Sequence, residues 1–527
     1  MRKQISYYKW LQYLIAFLLI LGVFFRFYNL DFSMYWHDET KTSLRVSGYT
    51  TEEFVEQVYT GDPITVESLL DTYQSPNKAA GWDATFNALA QHPEHSPLYY
   101  ILARFWMQLF GSSVTTIRLL SAIIGVLSLP FAYWLGRELF DSPLVAWLTT
   151  ALIAISPFHV LYAKEAREYG LWTLAILVSS AALLQALRVA RQNRFLKPNL
   201  WRWGTYAGTV AFGLYVHPFS ALVFLGHGIY MICNEGLRGL RHIIAYLLSS
   251  LIGLFLFLPW GIVVLNNFSN FIENTISTTV NRPDLHLIWG LNLSRIFFDV
   301  NQGTSPLNPL LYLIIILTLF SIYYLCINAP QRTWLFLITL MGVTGLALIG
   351  PDVLAGGRRS SITRYAIPCY LGIQYAVSYL LATKITSPRI NPRRLTRWRL
   401  VIYAIALFGT ASCIASYTNP VWWHKSHAKH RYDPDVAQIV NQSDRPLVVS
   451  DEIPGRILPL AHRLDPEVRL QLTVEPNVPK LPPDIAPAYA YRPSEWLETE
   501  LRKTTQTEWK EVQEWLWEIR PASSEAS

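Results

Sequence analysis

The sequence predicts an all-α polytopic membrane protein of about eleven spans. It also predicts interfacial helices in the first external loop and a small α+β domain at the C-terminal end. Three observations lead there. Only 15% of the 527 residues are charged, against about 25% in soluble proteins. Hydrophobic residues make up 51%, with a mean hydropathy of +0.22. Apolar runs of about 20 residues, enough to cross a bilayer, recur as far as Tyr417, and the composition then turns to proline and charge. The 19 Trp, 29 Tyr and 25 Phe exclude a disordered or fibrous chain. A net charge of +7 would suggest nucleic acid in a soluble protein. Here it lies around the spans, and no nucleic-acid partner is expected.

Trp10–Phe27 is the first span. It follows Arg2, Lys3 and Lys9 and has no small-residue cleavage site after it, so it reads as an anchor. Val114–Gly136, Leu144–Tyr162, Leu171–Leu187, Ile243–Leu265, Leu307–Ile327, Trp334–Ile349, Tyr365–Ala382 and Leu400–Tyr417 follow. Trp203–Cys233 is too long for one crossing and reads as two short spans bent at His217–Pro218. Pro97–Phe110 is too short to cross. It sets Leu98, Ile101, Leu102, Phe105 and Leu109 on one stripe opposite Arg104 and Gln108, the pattern of an interfacial helix. The positive-inside rule then places Arg188, Arg191, Arg194, Lys197 and Arg202 in the cytoplasm, with Arg238, Arg241, Lys384, Arg389, Arg393, Arg394, Arg397 and Arg399. Asn29–Ser113, Phe158–Glu168, Asn266–Pro306, Gly350–Arg364 and the segment after Thr418 fall outside.

This gives a transmembrane domain over 1–418, with its large external loop at 29–113, and a small extracytoplasmic domain over 419–527. In the latter, Pro446–Ser450 and Val468–Thr473 read as strands, Trp496–Ile519 as helical, and Pro521–Ser527 as a disordered end. Asp433, Asp435, Asp451 and Glu452 read as solvated surface groups. Cys233, Cys326, Cys369 and Cys413 lie in or beside apolar runs without a CxxC pair, and read as inert buried thiols.

The candidate chemistry gathers at the outer level. Tyr35-Trp36-His37-Asp38-Glu39 puts two adjacent carboxylates just past the first span. The plain alternative is that Asp38 caps a helix starting at Glu39. His95-Ser96-Pro97-Leu98 opens the interfacial helix, Lys164-Glu165-Ala166-Arg167-Glu168 closes the third span, and His217 sits at an outer bend. Arg358, Arg359 and Arg364 occupy a short outer loop, against the positive-inside rule. Their plain use is snorkelling, but the planar fork of arginine also suits phosphate. Acids, histidines and arginines on one face suit sugar transfer from a lipid phosphate: a carboxylate takes the proton of an attacking hydroxyl and arginines stabilise the departing phosphate. A transporter would place its ionisable groups near the midplane in paired repeats, and a non-catalytic envelope scaffold would need no Asp-Glu pair.

The motifs Trp36-His37-Asp38-Glu39 and His95-Ser96-Pro97-Leu98-Tyr99-Tyr100 resemble the W-x-D-E and H-P-P-L-Y-Y patterns of GT-C membrane glycosyltransferases. The resemblance is to the protein-mannosyltransferase-like and lipid A aminoarabinose transferase-like group. Phe110-Gly111, Arg118-Leu119-Leu120-Ser121-Ala122, Gly136-Arg137-Glu138-Leu139-Phe140 and Ser156-Pro157-Phe158-His159 match further. Glu165-Ala166-Arg167-Glu168-Tyr169 is similar to the family's Q-E-A-R-x-Y, and Arg364-Tyr365-Ala366-Ile367-Pro368 to its R-Y-x-x-P. The likeness covers roughly residues 10–385. Lys164 stands where the family often has Gln, and Ser96 replaces the first Pro of H-P-P. The resemblance implies inverting transfer from a polyprenyl-phosphate sugar to a lipid, glycan or protein acceptor on the outer face. It makes Asp38 the base, Glu39 its neighbour, Glu165 and Arg167 members of the second outer loop, and Arg358, Arg359 and Arg364 the donor-phosphate contacts. His95 and His217 are further substrate-binding candidates. Some relatives bind a divalent metal, for which either histidine could serve. Hydrogen bonding is the plain reading of both, and no metal is assigned.

Overall fold

A computed structural model describes residues 9–76, 80–192, 200–303, 308–388, 390–481, 487–505 and 507–521. Arg2, Lys3, Arg194, Lys197, Arg389 and the tail 522–527 lie outside the described residues. The chain divides into two compact units. Unit 1 comprises Met1–Leu30, His92–Tyr99 and Arg118–Thr418; unit 2 comprises Asp31–Gln91, Tyr100–Ile117 and Asn419–Ser527.

In chain order the first helices are α1 (Lys9–Phe27), α2 (His37–Ser47) and α3 (Thr51–Val58). Strand β1 (Pro63–Thr65) precedes α4 (Val66–Tyr73), α5 (Trp82–Ala90), α6 (Leu98–Phe110) and α7 (Val114–Leu139). Then come α8 (Pro143–Ala154), α9 (Pro157–Ala163), α10 (Tyr169–Gln192), α11 (Leu200–Val216), α12 (Ser220–Glu235), α13 (Leu240–Asn266), α14 (Phe268–Thr275) and α15 (Leu285–Ser294). The membrane part ends with α16 (Pro309–Asn328), α17 (Gln331–Ala355), α18 (Ile367–Thr386) and α19 (Pro392–Ala415).

Among the described residues, eight helices are long and apolar enough to cross a membrane, and nine if the bent pair α8 and α9 is one span. The predicted Leu144–Tyr162 span is that pair, bent by 59°. Pro157 offers no N–H and disfavours helix at Ser156, so the ladder breaks there. Arg26 of α1 meets the exposed end of α8. Its Nη1 donates to the carbonyls of Gly22 (2.7 Å) and Ala154 (2.5 Å), and its Nη2 to that of Ile153 (3.1 Å). A guanidinium inside a span is tolerated because its donors meet these carbonyls. Trp203–Cys233 forms α11 and α12, of 17 and 16 residues, which turn at His217–Pro218 as read. Each is shorter than the eight long helices, so the count of eleven rests on admitting both as spans.

The short segment after Pro97 is the 13-residue α6. Of its predicted apolar stripe, Phe105 and Leu109 are exposed and Leu98, Ile101 and Leu102 half-buried, whereas Arg104 is fully buried. The Arg104 guanidinium donates to Val46 O and Thr85 Oγ1, and to Ala80 O. Arg104 is thus packed on the same side as the buried Tyr100, Ala103 and Met107, while Gln108 of the predicted polar face is exposed beside Phe105 and Leu109. All four cysteines are free. Only Cys413 is buried, and Cys233 is exposed, which corrects its reading as a buried thiol.

Unit 2 is built on a sheet of order β1-β3-β2-β4-β6-β5. Its later elements are α20 (His427–His430), α21 (Asp433–Asn441), β2 (Leu447–Ser450), α22 (Pro454–Ala461), β3 (Arg469–Leu472), β4 (Ala488–Tyr491), α23 (Glu495–Thr505), β5 (Thr507–Gln513) and β6 (Leu516–Pro521). Strand β2 runs parallel to β3 and β4, while β1, from the segment between α1 and α7, pairs antiparallel to β3. Period-two alternation separates two cores, with Val448, Leu470 and Tyr489 on one face and Leu447, Val449 and Ala490 on the other. The two strand predictions match β2 and β3. The helical reading of Trp496–Ile519 fails beyond Thr505, where β5 and β6 form an antiparallel hairpin. Thr507, Trp509, Val512, Trp517 and Ile519 favour strand. Of the predicted disordered end, Pro521 closes β6. Asp433 is fully buried rather than solvated: it receives Tyr491 OH (2.7 Å) and lies 2.7 Å from His430 Nδ1. Glu452 is tied to Arg456 and Arg492.

Candidate active site

In unit 1 the turn after α9 carries Lys164–Glu168 into the start of α10, and all five side chains are buried. Glu168 is the centre. Its Oε1 accepts from Arg167 Nη2 at 3.0 Å and lies 3.6 Å from His95 Nδ1. Its Oε2 is buried without a hydrogen-bond partner. Glu168 also sits just before α10, where the helix dipole favours an anion. Although burial opposes charge, Arg167, His95 and His217 hold this carboxyl well below the usual range. The relay continues outward: His95 Nε2 lies 3.6 Å from Glu94, and Glu94 3.5 Å from His92. Asn274 Nδ2 donates to Glu94 (3.0 Å) and contacts His92 Nδ1 (3.1 Å).

His217 lies at the turn between α11 and α12. Its ring stacks on Trp172 at 4.2 Å and 16°, and its Nδ1 accepts from Phe219 N (3.1 Å). Nδ1 is therefore unprotonated. Burial lowers this imidazole to about 3, against the pull of Glu168. Arg364 lies over the rings of Tyr169 (5.2 Å) and Tyr365 (5.9 Å). Thus His95, Arg167, Glu168, His217 and Arg364 form one cluster around Tyr169. Glu165, fully buried, shares the surroundings of Tyr162 with Arg364 and Arg295. Lys164 sits over the Tyr417 ring at 4.0 Å.

Arg358 and Arg359 stand apart from the tyrosine pair. Arg359 pairs with Asp352 at 3.3 Å, Arg358 N donates to Thr278 O, and Asp352 also accepts from Ser360 N and Oγ. Sequence reasoning did not single out two members of this unit. Glu168 was quoted only as part of a motif, and its role follows from the Arg167 and His95 contacts. Arg295, whose Nη1 donates to Asn292 Oδ1 (2.9 Å), is lowered by burial to about 10. No sequence signal marks it.

In unit 2 helix α2 starts at His37, two residues earlier than the capping alternative requires. Its N-cap is Trp36, which makes no side-chain cap bond, and Asp38 and Glu39 both lie in the first turn. Asp38 is therefore not the cap. It is partly exposed, and its carbonyl accepts from Thr42 Oγ1 (3.1 Å). Glu39 is fully buried and pairs with Lys425 Nζ at 2.8 Å. Lys425 is 5.9 Å from the Trp36 ring, and no local pattern marks it as the partner of a residue 386 positions away. His37 Nδ1 faces the carbonyl of Gly455 at 3.3 Å, so that nitrogen carries the proton. A side chain at 455 would strike the His37 ring. Burial lowers His37 to about 4, against the opposing influence of Asp38. Among the described residues no three His, Cys, Asp or Glu side chains group so as to hold a metal ion.

The described residues build a multi-pass membrane protein with a GT-C fold. Residues 92–262 match the family described as dolichyl-phosphate-mannose-protein mannosyltransferase. The whole chain is similar in fold to ArnT from Cupriavidus metallidurans bound to undecaprenyl phosphate. Identity is 14%, 99% of each chain is covered, and the TM-score is 0.56. The apo form of that protein matches at 14% identity and TM-score 0.55, over 98% of this chain and 99% of that one. The oligosaccharyltransferase AglB from Archaeoglobus fulgidus, in complex with an inhibitory peptide and a dolichol-phosphate, gives 10% identity, 98% and 75% coverage and a TM-score of 0.49. No curated protein sequence matches the chain.

Proposed function

We propose that the protein is a membrane glycosyltransferase that moves a sugar from a polyprenyl phosphate to an acceptor hydroxyl on the outer face, with inversion. The observation that carries this reading is the buried His95–Glu168–Arg167 relay with His217 and Arg364, in a fold shared with a protein bound to undecaprenyl phosphate. Asp38 takes the acceptor proton as the new C–O bond forms on the anomeric carbon. The bond to phosphate breaks on the opposite side, which inverts the centre, and the lipid phosphate leaves with the electron pair. Arg364, Arg358 and Arg359 stabilise that charge. Glu39 fixes the first turn of α2 through Lys425. Glu165 and Arg167 belong to the second outer loop, and His95 and His217 line the substrate side.

The test is sugar transfer by the purified protein in detergent, with a polyprenyl-phosphate sugar as donor. Acceptor-dependent release of the free lipid phosphate, with inverted product, is expected; donor that stays intact with every acceptor class would reject the reading. Orientation is tested separately by thiol labelling in a cysteine-free background. Reagent added outside should reach Ser443→Cys and not Gln192→Cys. The reverse pattern would overturn the assignment of 188–202 and 384–399 to the cytoplasm.

A further inference from the structure

Unit 2 contains a cavity of about 540 Å³ that the reaction scheme above does not use. Leu70, Asp71, Gln74 and Ser75 line it from the end of α4, Ser112, Ser113 and Val114 from the turn between α6 and α7, and His462 from the end of α22. Six of these eight side chains carry a hydrogen-bonding group. Among the described lining residues none is Lys or Arg, so the cavity is not built for phosphate. One carboxylate and one imidazole are too few for a metal. The lining is also too polar for a lipid tail. Its volume falls within the roughly 300–1,000 Å³ of small-molecule sites.

The polar wall is organised. Gln74 is 2% exposed; its Nε2 donates to Tyr73 O and its Oε1 accepts from His462 Nε2 at 3.2 Å. His462 meets the Tyr35 ring edge-on at 4.6 Å. Helix α22 therefore links the cavity to the proposed base: His462 follows its last residue and contacts Tyr35, while Gly455 near its start contacts His37, the neighbour of Asp38. The helix is eight residues long, about 12 Å.

The geometry points to a subsite for a neutral saccharide, the glycan part of the acceptor, held about one short helix from Asp38. Hydroxyls, an amide and a lone carboxylate are the groups that exchange hydrogen bonds with a polyol, each able to accept from or donate to a sugar hydroxyl. The assignment rests on the proposed transfer reaction, and it names the acceptor class.

The test uses the full chain in nanodiscs, free of sugar-headed detergent. Saturation-transfer NMR is recorded with maltotriose, mannotriose and chitotriose, and with inorganic phosphate as competitor. Transfer to at least one trisaccharide is expected, at least tenfold weaker in Ser75→Trp and in Ser112→Trp, and unmoved by phosphate. These two partly exposed positions admit a large side chain without disturbing a core. No transfer to any trisaccharide, equal transfer in both variants, or displacement by phosphate would overturn the subsite. Binding of undecaprenyl phosphate is measured on the same samples. Its absence with saccharide binding intact would count against the glycosyltransferase reading and leave the cavity as a sugar site.

Discussion

Units 1 and 2 each hold a buried carboxylate beside a cation, but they use it differently. In unit 1 Glu168 shares one oxygen between Arg167 and His95, and the relay runs on to Glu94 and His92, whose side chains are partly accessible. In unit 2 Glu39 and Lys425 form a sealed pair, with side chains 0% and 1% exposed. A sealed pair has little left to offer a ligand. Its role is to fix a backbone, and the backbone it fixes carries Asp38. A branched relay with members near the surface can instead redistribute charge when an anion arrives. Adjacent acids in a sequence can thus have opposite destinies, one held for structure and one presented.

The largest effect should come from splitting that acid pair. Asp38→Asn keeps the shape but cannot accept a proton, so turnover should fall by about 10²–10⁴-fold, with folding and donor binding near normal. Glu39→Gln should be milder in turnover. Full activity in Asp38→Asn, measured by transfer with donor binding alongside, would remove the proposed mechanism.

Next in size is the sealed pair itself. Lys425→Met removes the cation 2.8 Å from a fully buried carboxylate and should cost about 3–5 kcal/mol, read as a lower denaturation midpoint. The double variant Lys425→Met with Glu39→Leu should recover much of that loss. If the single change alters nothing, the pair is not what fixes α2.

The arginines of unit 1 sharpen the contrast from the other side. A charge-assisted contact to phosphate contributes about 1.5–3 kcal/mol, so losing any one of Arg358, Arg359 or Arg364 should weaken donor use about 10- to 100-fold. Lysine should rescue only in part. Unchanged donor affinity with alanine at all three would make them interfacial anchors.

The smallest effect per pH unit is a slope seen in both units. His37 is lowered to about 4 and His217 to about 3, each from 6.5. As pH falls below 6.5 the unfolded chain takes up these protons first, so the stability held above 6.5 is lost on the way down. His37's share is gone by about pH 4 and His217's by about pH 3, at up to about 1.4 kcal/mol per unit for each. Unfolding between pH 7 and 5, above the carboxylate range, should show the slope. His37→Gln should flatten it for unit 2 only, and His217→Gln for unit 1 only.

Much of the fold could be read directly. Long apolar runs became α1, α7, α10, α13 and α16 to α19, because twenty lipid-compatible residues have no other way to satisfy their backbone. Glu165, Arg167, His217 and Arg364 were legible as ionisable groups beside apolar runs. The helical reading past Thr505 failed because its tryptophans fit both a helical stripe and alternating strand faces, and pairing with β4 decided between them. Asp433 looked like a surface acid because His430 and Tyr491 become its partners only after folding.

By itself the sequence determined a helical multi-pass membrane fold, the order of its long apolar runs, and the residues worth suspecting. Hydropathy and proline act locally and leave their mark in the chain. The tertiary structure alone decided which acid is sealed and which is presented, because the cation that seals Glu39 is 386 residues away. It also brought Arg167 and His95 onto Glu168, since burial and charge pairing depend on distances that only folding sets.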